Sequence, residues 1–171
     1  MKNEARDSSS ESIQKLGKLI DGIQVAMLTS LDARGHPHTR PMATLEIESN
    51  GTLWFFTQQH SAKVSETEHD HRVTVAYADP AKNRYVCVGG YSNLVQDKNK
   101  IKELWNPLFK AWFPEGLNDP ELSLMKVDVE SAEYWDSPSS TMIKLVGFAK
   151  AILTGKPYEG GNHGTLNVAS P

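Results

Sequence analysis

The spacing of apolar positions changes once, near residue 24. Before it, Ile13, Leu16, Leu19, Ile20 and Ile23 recur at intervals of three and four, which places them on one helix face. Ser8 with Glu11 offers a capping box and Gly22 a stop. Beyond it the apolar runs shorten and begin to alternate. Val25 to Ser30 reads as a strand, Asp32-Ala33-Arg34-Gly35 as a turn, and Thr39 to Glu48 as a second strand. Asn50-Gly51 marks a hairpin, since both residues tolerate positive φ, and Thr52 to Thr57 is the returning strand.

The polar stretch Ser61 to His71 contains helix-forming Ala62, Lys63 and Glu66. It is followed by a strand over Arg72 to Ala78, a turn at Asp79-Pro80-Ala81-Lys82-Asn83 and a strand over Arg84 to Ser92. Asp97 caps a helix reaching Trp105, and Pro107 opens a further turn carrying Leu108, Phe109, Trp112 and Phe113. Leu122 to Glu133 is a long strand and Asp136 to Ser140 a loop. Ile143, Val146 and Ala149 give Thr141 to Leu153 a helical face, and the Gly-rich tail from Tyr158 reads as mobile or draped on a partner. About six strands in meander-like order, with helices inserted rather than alternating, predict a mainly β (α+β) antiparallel barrel with peripheral helices.

A length of 171 residues suits a single core, so one domain over 12–158 is expected, after a flexible N-terminus at 1–11 and before a tail at 159–171. The formal charge is −3, from 18 basic and 21 acidic residues mixed along the chain, so no positive field gathers polyanions and nucleic acid is not expected as a partner. The first dozen residues lack the apolar core of a secretory signal, and no run of about 18 apolar residues occurs. A cytoplasmic protein with no membrane partner is the expectation. Cys87 is the single cysteine, within the apolar run Tyr85 to Val88, and reads as an inert buried thiol. His36-Pro37-His38 and His69-Asp70-His71 each bring two imidazoles together, but spacing fixes no third ligand and no metal site is expected. The aromatic group Trp105, Phe109, Trp112 and Phe113 has helical spacing, which favours core or dimer packing over a ligand cage. Gly89-Gly90 within a strand reads as a bulge.

Three short clusters carry the candidate chemistry: Arg40-Pro41-Met42-Ala43-Thr44, Phe56-Thr57 and Ser61-Ala62-Lys63. If the two hairpin strands pair, Arg40 and Thr57 fall near one end, where the next loop brings Ser61 and Lys63. A guanidinium fork, an ammonium, hydroxyls and N–H groups at a helix start are what a phosphate dianion needs. From spacing alone, Arg40 and Lys63 as ordinary solvated charges is the favoured reading. Pro41 cannot donate to a ladder, so it marks an edge or bulge where backbone groups are left free.

These clusters, followed by Tyr134-Trp135-Asp136-Ser137-Pro138, resemble the FMN-binding split barrels related to pyridoxamine 5'-phosphate oxidase, and most closely their general stress protein branch. The resemblance runs from about Ser12 to about Tyr158. It implies a six-stranded antiparallel Greek-key split β-barrel that forms a homodimer with a flavin at the interface. FMN is the implied cofactor, with FAD as the alternative. Arg40 and Lys63 would grip its phosphate, helped by Ser61 and Thr57. Met42, Ala43, Thr44 and Phe56 would serve the isoalloxazine ring, and Trp135 would lie beside it, from either subunit. Lys144 or backbone amides would face the N1 and C2=O edge. The implied function is flavin-dependent redox chemistry with an unidentified small-molecule donor and acceptor. The oxidase holds its substrate's phosphate with basic and histidine residues after the tryptophan. Here Ser139 to Lys144 take that place, which argues against pyridoxamine phosphate oxidation. The alternatives are a non-enzymatic flavin-binding or sensing module, a haem- or deazaflavin-binding barrel, and a plain interaction protein.

Overall fold

In strand β4 (Arg72–Asp79), Val73, Val75 and Tyr77 are buried while Arg72, Thr74, Ala76 and Ala78 are exposed, the two-residue period of a sheet with one face on a core. The computed structural model describes residues 2–136 and 162–168. The elements in chain order are α1 (Lys2–Ile20), β1 (Val25–Leu31), β2 (Pro37–Ile47), β3 (Thr52–Gln58), α2 (Ala62–His69), β4, β5 (Arg84–Val95), α3 (Lys98–Leu104), 3-10 turns at Pro107–Ala111 and Gly116–Asn118, β6 (Leu122–Asp136) and β7 (Asn162–Asn167). The strands pair antiparallel in the order β3-β2-β1-β4-β5-β6-β7, and a further β3–β6 pairing closes the first six into a barrel. This is the split barrel expected from the sequence. None of the described helices is long and apolar enough to cross a membrane.

Two strands change partners along their length, and this sets where the barrel opens. β2 pairs with β1 over Pro37–Ala43 and with β3 over Thr44–Ile47. β6 lies on β3 over Leu122–Asp128 and on β7 over Ser131–Asp136, while β5 follows it throughout. The turn of β5 is made at the Gly89/Gly90 register shift, where a Cβ on Gly90 would meet the Asp128 carbonyl oxygen at 2.4 Å. The expected bulge is there, and only glycine fits it.

The main core fills the barrel with Leu28, Leu53, Phe55, Val75, Val88, Met125 and Val127, and α1 adds Ile13, Leu16, Leu19 and Ile20. β3 is buried on both faces, because Trp54 and Phe56 on its outer side join a second cluster with Ile101, Phe113 and Leu124. α3 and the Pro107–Ala111 turn build that cluster. Asp97 accepts hydrogen bonds from the Asn99 and Lys100 amides, as its capping role predicts, and Asn106 caps the 3-10 turn through Leu108 N–H.

Four expectations need correction. α1 starts at Lys2, ahead of Ser8, so Ser8 does not stand at its N-cap; Ser9 donates to the Val168 carbonyl at 2.7 Å. The tail read as mobile or draped on a partner supplies β7, which pairs with β6 of the same chain. At the hairpin only Gly51 has positive φ, 86°, and Asn50 acts through its side chain, accepting from Thr52 N–H at 2.9 Å. The strand read as Leu122 to Glu133 continues to Asp136. The helical face expected over Thr141 to Leu153 lies outside the described residues.

Candidate functional site

The Thr44–Phe55 pairing is the last between β2 and β3 at this end. Continued, the same register would set Phe56 against Ala43, Thr57 against Met42 and Gln58 against Pro41, but these residues do not pair. The two strands part there, and the cleft between them is a cavity of about 370 Å³ lined by Pro41, Met42, Ala43, Phe56, Thr57 and Gln58. Val25 and Lys63 complete it from the barrel side, and Phe109, Trp112 and Phe113 wall it from the 3-10 turn. Pro41 sits where a strand loses its neighbour, as a residue without an N–H donor should.

The cations at the mouth of the cleft are not ordinary surface charges. Lys63 is half-buried, and among the described residues no carboxylate pairs with it. Burial, then the nearby Arg40 charge, push its ammonium pKa below the usual lysine value. Ser61 stands at the N-cap of α2, but its hydroxyl is buried, makes no capping bond and has no hydrogen-bond partner among the described residues. A buried hydroxyl and a desolvated lysine without partners are both costly unless a ligand completes them.

Arg40 is held from behind. Its Nη1 donates to Ser30 Oγ at 3.0 Å and its Nη2 to Glu66 Oε2 at 2.5 Å, with a longer bond to the His38 carbonyl at 3.4 Å. Glu66, 9% exposed, also accepts from Ser30 Oγ at 2.5 Å and contacts His38 Nδ1 at 2.6 Å. Burial alone would raise the Glu66 carboxyl; the hydrogen bonds from Ser30, Arg40 and His38, with Arg40's charge, outweigh it and bring the pKa down to about 2.

Of the residues read as cofactor-binding, Met42, Ala43, Phe56, Thr57 and Lys63 line the cleft. Arg40 lies near enough to depress Lys63, and Ser61 begins the same helix. The Thr57 side chain is buried, with only a 3.4 Å contact to the Gln58 carbonyl. Thr44 is turned away: its hydroxyl is 3.0 Å from Tyr77 OH on the core side, and it is not among the lining residues. Trp135, on β6, does not line this cleft. It stacks on His163 of β7 with ring centroids 5.1 Å apart and is 42% exposed. Lys144 lies outside the described residues.

Sequence reading missed Glu66, Ser30 and His38, whose convergence depends on the β1–β2 register and the seating of α2. It read the 3-10 aromatics as packing, and this is half of what they do. Phe56 meets Trp105, Phe109 and Phe113 edge-on at 5.8, 4.9 and 6.2 Å, yet Trp112 is 66% exposed at the cavity wall. The clue was Phe56, adjacent to candidate Thr57 on a strand flanked by the aromatic run. Such a cleft, with cations at one end and flat apolar walls, suits a planar ligand carrying an anionic tail.

Comparison with known proteins points the same way. The family described as pyridoxamine 5'-phosphate oxidase like matches residues 11–159. A general stress FMN/FAD binding protein from Xanthomonas citri is 30% identical, with 76% of this chain and 92% of that one covered and a TM-score of 0.65. General Stress Protein 26 from Bacillus anthracis shares the fold at 23% identity, with 73% and 92% covered and a TM-score of 0.63. Protein bli-3 of Neurospora crassa is 26% identical over 157 residues, 86% of this chain and 75% of that protein.

Proposed function

Since the chain belongs to the pyridoxamine 5'-phosphate oxidase like family, we propose that it is a flavin-binding protein of the general stress type whose cofactor is FMN. The observation that carries this is the set of groups left unsatisfied among the described residues at the split: a half-buried lysine without an acid partner, a second cation beside it, and a buried serine hydroxyl with no hydrogen-bond partner. A phosphate dianion satisfies all three at once. The ring lies in the cleft between Pro41 to Ala43 and the Phe109–Phe113 wall, and the phosphate at Lys63, Arg40, Ser61 and Thr57. When bound, the flavin supplies two-electron redox chemistry, and the protein binds, orients and shields it.

The second part of the proposal is a homodimer. Val25, Met27, Tyr85, Tyr91 and Trp135 are each more than 40% exposed on strands β1, β5 and β6, an apolar set large enough to ask for cover. Ala78, Tyr85, Trp135 and His163 lie opposite one another across four successive strands. A second copy seated on this row covers it and offers its Trp135 to the cleft of the first.

The test is an absorption spectrum of the purified protein and a titration of FMN fluorescence. A yellow protein, or quenching that saturates at one flavin per chain, supports the proposal. A colourless protein that leaves FMN fluorescence unchanged defeats it. Sedimentation of the same sample decides the dimer.

A further inference from the structure

We propose that Glu66 is the positioning residue of the anion site: it presents Arg40 to the ligand phosphate and fixes the turn of α2 that aims Lys63 into the cleft. This rests on the flavin reading above. Arg40 has five N–H donors. Ser30 of β1, Glu66 of α2 and the His38 carbonyl of its own strand take one each, so two remain for a ligand. A free arginine on a strand end samples many rotamers, and binding must then freeze them. Here the freezing is done before the ligand arrives, by a carboxylate that is itself fixed by Ser30 and His38.

Lys63 and Glu66 are three residues apart on α2, so they share a helix surface one turn from each other. α2 has eight residues and no side-chain cap. Among the described side chains of α2, Glu66 ties the helix to the sheet through Ser30 on β1 and His38 and Arg40 on β2. Freed of that tie, the first turns of the helix, and Lys63 with them, are held less firmly against the cleft.

A carboxylate near a phosphate also repels it, so the sign needs deciding. Glu66 pairs directly with the Arg40 guanidinium at 2.5 Å, so its charge is met by that contact. Without it the Arg40 side chain loses that anchor and, repelled by Lys63, is free to swing away from the cleft. Orientation and charge balance both favour keeping Glu66, so its loss weakens anion binding.

The experiment is a double-mutant cycle read by flavin fluorescence, with FMN and riboflavin as ligands. Glu66→Gln keeps the shape and removes the charge. The expected result is FMN bound about tenfold more weakly and riboflavin bound unchanged. In the Arg40→Ala background, Glu66→Gln is expected to cost FMN less than twofold, because the residue acts through Arg40. Ser30→Ala, which keeps the Arg40–Glu66 pair, is expected to weaken FMN two- to threefold and serves if Glu66→Gln folds poorly. FMN binding that is unchanged or tighter in Glu66→Gln, equal loss of FMN and riboflavin, or full loss in the Arg40→Ala background overturns the proposal. Wild-type protein that binds neither flavin overturns the flavin reading, and this inference with it; wild-type binding with an inert Glu66→Gln overturns this inference alone.

Discussion

Lys63 and Lys100 both withdraw an ammonium from bulk water, and their surroundings are opposite. Lys100 reaches Glu46 at 2.6 Å, Glu48 at 2.9 Å and Glu103 at 3.4 Å, and lies 5.6 Å from the Trp54 ring centroid. The hydrogen bonds it donates to Glu46 and Glu48 raise its pKa. Lys63 has no acid partner among the described residues, and burial lowers its pKa. One lysine is complete within the fold and holds α3 to the sheet. The other has no carboxylate partner among the described residues and lines a cleft, where an added anion would complete it.

If that contrast is right, the two sites respond to mutation in different measurements. The largest effect is expected from Arg40→Ala combined with Lys63→Ala, which should cost about 2 to 5 kcal/mol of FMN affinity, as loss of desolvated charge partners does. Fluorescence titration reads it, and a loss below about 1 kcal/mol would place both residues among ordinary surface charges. Next comes Lys100→Met, which leaves three carboxylates facing one another. Stability should fall by about 1–2 kcal/mol in denaturant unfolding, with FMN affinity unchanged.

Glu66 gives the contrast a pH signature. Its folded pKa of about 2 lies below the ordinary 4.5, so it contributes stability that is fully present above pH 4.5 and is lost as pH falls through about 2. Melting temperatures between pH 5 and 2 should fall less steeply in Glu66→Gln than in the wild type; equal slopes would contradict the assignment. The smallest change in stability is expected from Lys63→Met. Removing a desolvated charge without a partner should raise stability by up to about 1 kcal/mol while weakening FMN, the trade between stability and function expected of a site residue.

The barrel was legible because its signals are local. Alternation in β4, Asn50-Gly51, the Asp97 cap and the Gly89-Gly90 bulge each depend on a few adjacent residues. That Arg40, Thr57, Ser61 and Lys63 gather near one end of the hairpin was legible in part, since they flank strand ends on one side of it. The side of the strand that the Thr44 hydroxyl takes, toward Tyr77, was not legible, because the register shifts at Thr44/Glu46. Glu66 was illegible for a different reason. Its meaning comes from Ser30, 36 residues away, and Arg40, 26 residues away, and nothing in either segment announces the other. The β7 strand was hidden by the glycines at and before it, Gly160, Gly161 and Gly164, which suit a tail as well as a strand; a Cβ on Gly164 would lie 2.7 Å from Tyr134 OH.

The central claim is that the cations at the barrel's split bind the phosphate of a flavin. It is tested most directly by titrating one protein sample with FMN and another with riboflavin, which share the ring and differ in the phosphate. The account predicts FMN bound at least about 30-fold more tightly, the lower end of the charge-pair loss given above, with the gap largely closed in Lys63→Met. Equal affinity for the two flavins, or a gap that survives Lys63→Met unchanged, would contradict it.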